Sequence, residues 1–415
     1  MRRSPFSVAA LALPLLFVGA CSDRITTEPR SARLGHTADL VDAAAPPLWA
    51  SQIQGTENGA QYAIFRPSEW NGDVVYYAHG IIDPALPVAL PTNDDAEAIR
   101  DALGRMGFAV AYSSFGENGY AFTDGLAHTR ALSDIFRERV GEPRRSFLIG
   151  HSLGAQIVQA MAEKHANGAN GYDGALAMCG VLGGTTLEVA YIGHVRTLFD
   201  YFYPNWLPGT NTMSMPRPAL SQNEIIGRAL AAMQRDGFAG FATMLQVDQA
   251  ALTGRNFNEK LNTLFNVLVY HARGVNDFLD RTEGNVLFDN SETVYTGALP
   301  PEKLADINER VARFTATHPA EKWLDRSYEP TGKLQIPLLT MHKEFDRLVP
   351  FSHESAYQAI VAERGRTDLL RQQTVPAYGH CEFGVAATMT AFGELVRWVD
   401  ADGRGKDVRG IAGGQ

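Results

Sequence analysis

The sequence predicts an α/β fold, a mostly parallel sheet flanked by helices and interrupted by a large helical insertion. Three observations point to it. Short apolar runs alternate with helical patterns through residues 73–184, the spacing at which strands pair in parallel through right-handed crossovers. The run "RSFLIGH" passes through a serine boxed by glycines, Gly150-His151-Ser152-Leu153-Gly154, and continues as the helical "LGAQIVQAMAEK". Between 185 and 332 the alternation stops, and it resumes over 333–402.

The chain has 415 residues, 45% hydrophobic and 20% charged, enough apolar material for a sizeable core. Its net charge of −9 comes with no basic stripe or basic-aromatic cluster, which argues against a nucleic-acid partner. Taken in order, residues 1–20 place Arg2 and Arg3 before an apolar stretch too short to span a bilayer with comfort. The Val18-Gly19-Ala20-Cys21 that closes it resembles a bacterial lipobox. That likeness implies a removed signal peptide, lipidation of Cys21, export to the cell envelope, and membrane contact through the lipid anchor alone. The alternative is an ordinary secretory signal with an incidental cysteine. Residues 21–50 mix charge, Thr, Ala and Pro without sustained periodicity and read as a flexible tether.

The first part of the core is expected over 51–184. "QYAIFRPSEW" alternates toward Asn71-Gly72-Asp73, a hairpin signal. Strands follow in "DVVYYAHG", "FAVAYSSF", "RSFLIGHS" and "YDGALAMCGVLGG", with helices in "DDAEAIRDALGRMG", "DGLAHTRALSDIFRERVG" and "LGAQIVQAMAEKHANG". Residues 185–332 read as helices ("SQNEIIGRALAAMQRDG", "NEKLNTLFNVLVYHARG", "KLADINERVARFTATH") joined by Pro/Gly-rich turns, most simply an inserted cap. Over 333–402 come the strand "KLQIPLLTMH", the helix "SHESAYQAIVAERG", the strand "RQQTVPAY" and the helix "TMTAFGELVRWVDADG"; 403–415 is a Gly-rich tail.

A serine on a strained turn between strand and helix projects its hydroxyl above the sheet edge, and the helix N-terminus favours developing negative charge there. Side chains at the flanking glycines would collide with the neighbouring strand and helix. A serine hydroxyl is a weak nucleophile and needs a base oriented by an acid. Such an elbow expects acid and then histidine later in the chain, each at a strand end. Asp346 leaves the strand "IPLLTMH" and His380 leaves "QQTVPAY", in that order.

With these residues the chain resembles the α/β-hydrolase fold serine hydrolases, in particular the esterase and lipase type with a helical cap. The likeness covers roughly 61–184 and 333–402. It implies Ser152 as nucleophile, His380 as base and Asp346 as acid, in cleavage of a small-molecule carboxylic ester without a cofactor. Asp346 is preferred to Glu344 because "D-x-x-V-P" follows it. His342 and His353 flank the acid too closely to be the base and read as loop histidines; His151 reads as a supporting neighbour of the serine. The oxyanion hole is expected from the N–H groups of Leu153 and Ile81, the latter following His79-Gly80, with the His79 side chain bracing that loop. A serine aminopeptidase on the same fold is the alternative, and would hold the substrate amine with cap carboxylates; Glu188, Glu224 and Glu283 form no recognisable set. A non-catalytic binding lipoprotein is the third reading.

If Cys21 carries lipid, Cys179 and Cys381 remain as a pair. Some relatives in the family pin the histidine loop by a disulfide, and a Cys179–Cys381 bond would serve that purpose here; two buried free thiols are the alternative. No His, Cys or carboxylate cluster has metal-ligand spacing, so no metal is expected. The aromatic run Phe199, Tyr201, Phe202, Tyr203 and Trp206 reads as cap core or, less simply, as the lining of an acyl pocket.

Overall fold

Strand β3 (Asp73–Ala78) is buried at every position. Val74, Tyr76 and Ala78 pack into one apolar cluster and Val75 and Tyr77 into another. Each face of the sheet is covered, which is why the run is continuously apolar rather than alternating. In the computed structural model, residues 47–92, 94–165, 171–209, 220–318, 322–323 and 328–401 are described, all within one unit, Pro46–Gln415. The expected signal peptide, Cys21 and the 403–415 tail lie outside the described residues.

The sheet has eight strands in the order β1-β2-β4-β3-β5-β6-β7-β8. These are β1 (Trp49–Glu57), β2 (Ala60–Pro67), β3, β4 (Ala109–Ser113), β5 (Arg145–His151), β6 (Gly174–Met178), β7 (Leu338–Phe345) and β8 (Leu370–Tyr378). The first two pairings, β1 with β2 and β2 with β4, are antiparallel; the rest are parallel. This is the α/β-hydrolase arrangement. Helices α1 (Asp94–Arg105), α2 (Phe122–Arg139) and α3 (Leu153–Lys164) supply crossovers in the first half. On one face Leu132 and Phe136 of α2 and Ile157, Val158 and Met161 of α3 cover the sheet. On the other lie Ile99 and Leu103 of α1 with Phe392, Leu395 and Trp398 of the last helix.

Between β6 and β7 the chain makes α4 (Thr185–Phe202), α5 (Gln222–Arg235), α6 (Ala239–Met244), α7 (Phe257–Arg281) and α8 (Pro301–Arg310). They share an apolar cluster of their own, with Val195 and Phe199, Ile225 and Met233, and Leu264 and Leu268 at its centre. Tyr201, Phe202 and Trp206 pack against that cluster. Two ends of this insertion were written locally: Ser221 and Glu224 cap α5 reciprocally, and Asn256 accepts the N–H of Glu259 at the start of α7. After β7 come α9 (Ser352–Glu363), β8 and α10 (Val385–Ala401).

Three expectations need correction. The hairpin turns at Asn58-Gly59 between β1 and β2, with both residues at positive φ. Asn71-Gly72-Asp73 instead leads from β2 to β3, which β4 separates in the sheet, so local alternation marked a strand but not its partner. Trp49 and Ala50, expected in the tether, already belong to β1. The helix expected over 303–318 ends at Arg310, because Val311 is extended.

Candidate active site

The C-terminal ends of β5, β7 and β8 carry the residues singled out from sequence. Ser152 lies between β5 and α3 at φ 53 and ψ −117, a strained conformation for a residue with a Cβ, costing roughly 1–3 kcal/mol. Two glycines permit it. A Cβ on Gly150 would sit 2.1 Å from the Gly154 carbonyl oxygen in α3, and one on Gly154 would sit 2.0 Å from that of Ala78 in β3. The turn is held at one end by the Ser152 N–H, which donates to the Met178 carbonyl at 2.9 Å.

The structure brings Ser152, His380 and Asp346 into one hydrogen-bonded chain. The Ser152 hydroxyl donates to His380 Nε2 at 3.1 Å, and His380 Nδ1–H donates to Asp346 at 2.8 Å (Oδ2) and 3.0 Å (Oδ1). This assigns the tautomer: Nδ1 carries the proton and Nε2 is free to accept one. Asp346 is fully buried, and its Oδ1 accepts the N–H groups of Leu348 (2.8 Å) and Val349 (3.0 Å). Burial would raise its pKa; His380, His342 and the Leu348 N–H outweigh that and hold it below the ordinary carboxylate value. Thr253, just before α7, donates its hydroxyl to the Asp346 carbonyl at 2.7 Å, so the insertion braces the acid loop. Glu344 is exposed and lies outside this chain of bonds.

A cleft of about 670 Å³ opens over Ser152. Its walls include Ile81, Leu90, Leu348, His380 and Val385, with Tyr270 reaching it from α7. Leu153 is the first residue of α3, where an N–H has no partner inside the helix. Gly80 packs so closely that a Cβ there would lie 3.2 Å from the Ser152 Cβ, which brings the backbone at Ile81 beside the serine. The His79 ring stacks on Phe115 with centroids 3.8 Å apart, and its Nδ1–H donates to the Gly80 carbonyl at 2.7 Å. His151 meets the Tyr77 ring edge-on at 5.7 Å; burial, and then the nearby His380, lower its pKa to about 4, so it stays neutral.

Cys179, just past β6, and Cys381, next to the histidine, are joined by a disulfide with Cα atoms 5.4 Å apart. Cys179, His380 and Cys381 are the one group of potential metal ligands close together among the described residues, but both sulfurs are spent on each other.

His342 and His353 correct the expectation of loop histidines. The first is on β7 and the second on α9, and both are fully buried. The Gly183 N–H donates to His353 Nδ1 at 3.1 Å, and Nε2–H donates to Glu188 Oε2 at 3.0 Å. Glu188, in the first turn of α4, is buried; burial, and then the charge of Asp346, push its pKa up to about 8. Glu224 caps α5 and Glu283 follows α7 on the surface. Neither Glu188, Glu224 nor Glu283 is among the described residues lining the cleft. Sequence reading missed this buried set, for which the only local sign is the density of His and Glu between 342 and 354.

No family model matches the chain. An o-phthalyl amidase from Xanthobacter agilis is 20% identical over 419 residues, covering 85% of this chain and 88% of that protein. Feruloyl esterase B from Aspergillus oryzae aligns structurally over 85% of this chain and 80% of its own, at 13% identity and a TM-score of 0.46. An acylaminoacyl peptidase from Pyrococcus horikoshii aligns over 84% of this chain at 7% identity and a TM-score of 0.43; this chain spans 41% of its length. These structural scores add nothing to what the strand order already says.

Proposed function

We propose that this chain is a serine hydrolase that cleaves carboxylic esters through an acyl-enzyme. The observation that carries the reading is the bonded series Ser152–His380–Asp346 at the mouth of the cleft. Ser152 Oγ attacks the ester carbonyl carbon while His380 Nε2 takes its proton; Asp346 stabilises the imidazolium that forms. The N–H groups of Leu153 and Ile81 receive the oxyanion. The tetrahedral intermediate collapses as His380 gives the proton to the leaving alkoxide. Water, deprotonated by the same nitrogen, then attacks the acyl carbon and releases the acid and free Ser152.

Amide hydrolysis is the second reading, favoured by the name of the amidase relative. Against its aminopeptidase form stand Glu188, which is buried, Glu224, which caps α5, and Glu283, on the outer surface, none of them lining the cleft. The reading carries a small-molecule ester as partner and no nucleic acid. We further propose an exported lipoprotein anchored through Cys21; the Val18-Gly19-Ala20-Cys21 stretch and the disulfide, which suits an oxidising compartment, support it. Mass spectrometry of the N-terminal peptide from membranes should find acylated Cys21; an unmodified Cys21 there would refute the anchor.

The test is turnover of p-nitrophenyl esters of increasing chain length beside aminoacyl-anilides, with wild type and Ser152→Ala. Esters should be cleaved, and Ser152→Ala should lose several orders of magnitude in kcat while remaining folded. A folded Ser152→Ala protein with near-normal activity would remove the assignment; anilides cleaved in preference to esters would transfer it to the second reading.

A further inference from the structure

A second histidine stands against Asp346, and the hydrolytic scheme leaves it without a role. His342 lies on β7 with its side chain fully buried. Its Nε2–H donates to the Val349 carbonyl at 2.9 Å and lies 3.5 Å from Asp346 Oδ2. Its Nδ1 faces Glu354 Oε1 at 3.3 Å, a charge contact without the alignment of a hydrogen bond. Glu354, on α9, is held in place in turn. Its Oε2 accepts the Thr340 hydroxyl at 2.6 Å and the Gln372 amide at 2.5 Å. Each ring nitrogen of His342 therefore faces an oxygen that can accept, surroundings that favour the doubly protonated ring.

We propose that His342 is a positioning residue, a buried imidazolium clamped between Asp346 and Glu354 that keeps the acid ionised and turned toward His380. The inference rests on the serine-hydrolase reading. A buried cation is tolerated when paired on more than one side, and here a carboxylate lies at each nitrogen. Burial by itself lowers the pKa of His342; Glu354, Asp346 and the Val349 carbonyl outweigh it and hold the ring above the ordinary imidazole value. The other titratable groups packed nearby add little charge. His353, from the same helix as Glu354, is pushed to about 3 by burial and then by the charge on His342, so it is neutral. Glu188, from α4, is raised to about 8 and keeps its proton near neutral pH. From β7 the edge of the charge set is Asp346 itself, and the Phe351 ring closes the site edge-on at 6.0 Å.

The arrangement bears on the charge around the base. The positive charge on His342 offsets part of the negative charge that His380 feels from Asp346. Without it, the Asp346 carboxylate stands uncompensated beside His380, and the charge balance on which proton transfer depends is altered. The acid limb of kcat/KM should then move up by about one pH unit, with kcat reduced as the Asp346 carboxylate loses its restraint.

The experiment uses the full chain with its disulfide intact. Nitrogen-15 NMR of the imidazole rings at pH 7.5 should show both nitrogens of His342 in the imidazolium state, and Glu354→Gln should lower the pH at which the second proton leaves. Profiles of kcat/KM against pH, on a p-nitrophenyl ester, should show the upward shift in His342→Gln. A neutral His342 in the wild-type spectrum, or a folded His342→Gln enzyme with an unmoved acid limb, overturns the proposal. If His342→Gln does not fold, the spectra of wild type and Glu354→Gln decide it. A Ser152→Ala protein as active as wild type would instead refute the hydrolase reading, leaving the His342 spectrum as found.

Discussion

Breaking the Cys179–Cys381 bond should cost stability and turnover together. The bond closes a loop across a separation of 202 residues, which in the chain-entropy model stabilises the fold by roughly 5 kcal/mol. With an unfolding entropy of about 2.1 cal/mol/K per residue, that is a fall in Tm of roughly 6 to 7 °C for a unit of this size. The catalytic effect follows from where the bond is tied. Cys381 is the next residue after His380, and both Cys179 and Cys381 sit at positive φ (51° and 62°), conformations that a freed chain would leave. Relaxation at Cys381 would displace the imidazole from the 3.1 Å contact with Ser152, and a shift of about 1 Å can cost on the order of 100-fold in rate. Cys381→Ser and Cys179→Ser should each behave like the reduced wild type. The assay is thermal unfolding by circular dichroism beside ester turnover, with thiol titration of the oxidised protein. Two titratable thiols in that protein, or a Cys381→Ser variant with unchanged Tm and unchanged turnover, would refute the reasoning.

Three further outcomes are expected. Asp346→Asn should lower kcat by roughly three to four orders of magnitude, since an amide favours the wrong imidazole tautomer, whereas exposed Glu344→Gln should change it little; the reverse result in a kinetic comparison would move the acid. Asp346 has a folded pKa below its unfolded value, so the stability it adds is present above about pH 4 and is lost as pH falls through the folded value; acid-unfolding curves of Asp346→Asn should lack that component. Glu188 is the opposite case, with a folded pKa raised to about 8. Its burial becomes a penalty as pH rises above the unfolded carboxylate value of about 4.3, growing until pH reaches about 8. Glu188→Gln, which keeps an acceptor for His353, should therefore be more stable than wild type by about 3 to 4 kcal/mol at pH 7 and no more stable below pH 4, as read from urea unfolding at the two pH values.

The strand run into Gly150-His151-Ser152-Leu153-Gly154 was legible because its constraints are local. A Cβ at Gly150 or Gly154 has no room, so the residues that allow the turn must be written at the turn. Asp346 and His380 could be picked out because a parallel sheet delivers successive strand ends to one edge, and each lies just past a strand. Capping at Ser221 and Asn256 belongs to the same local class.

What the tertiary structure alone decided is which distant residues share a neighbourhood. Sequence placed β2 beside a turn at Asn71-Gly72-Asp73, but its hairpin partner is β1, before it, and its other neighbour is β4, not β3. Alternation shows that a strand has a buried face and does not say which neighbour fills it. The count of cysteines allowed a Cys179–Cys381 bond; only the meeting of the ends of β6 and β8 across β7 brings their Cα atoms to 5.4 Å. Most of all, His342, His353, Glu188 and Glu354 look on paper like scattered polar residues. Folding removes them from water together, and in a medium where an unpaired charge is costly each one's protonation is set by the others. Residue identity is a property of the chain, but burial and distance, which set a charge, exist only once it has folded.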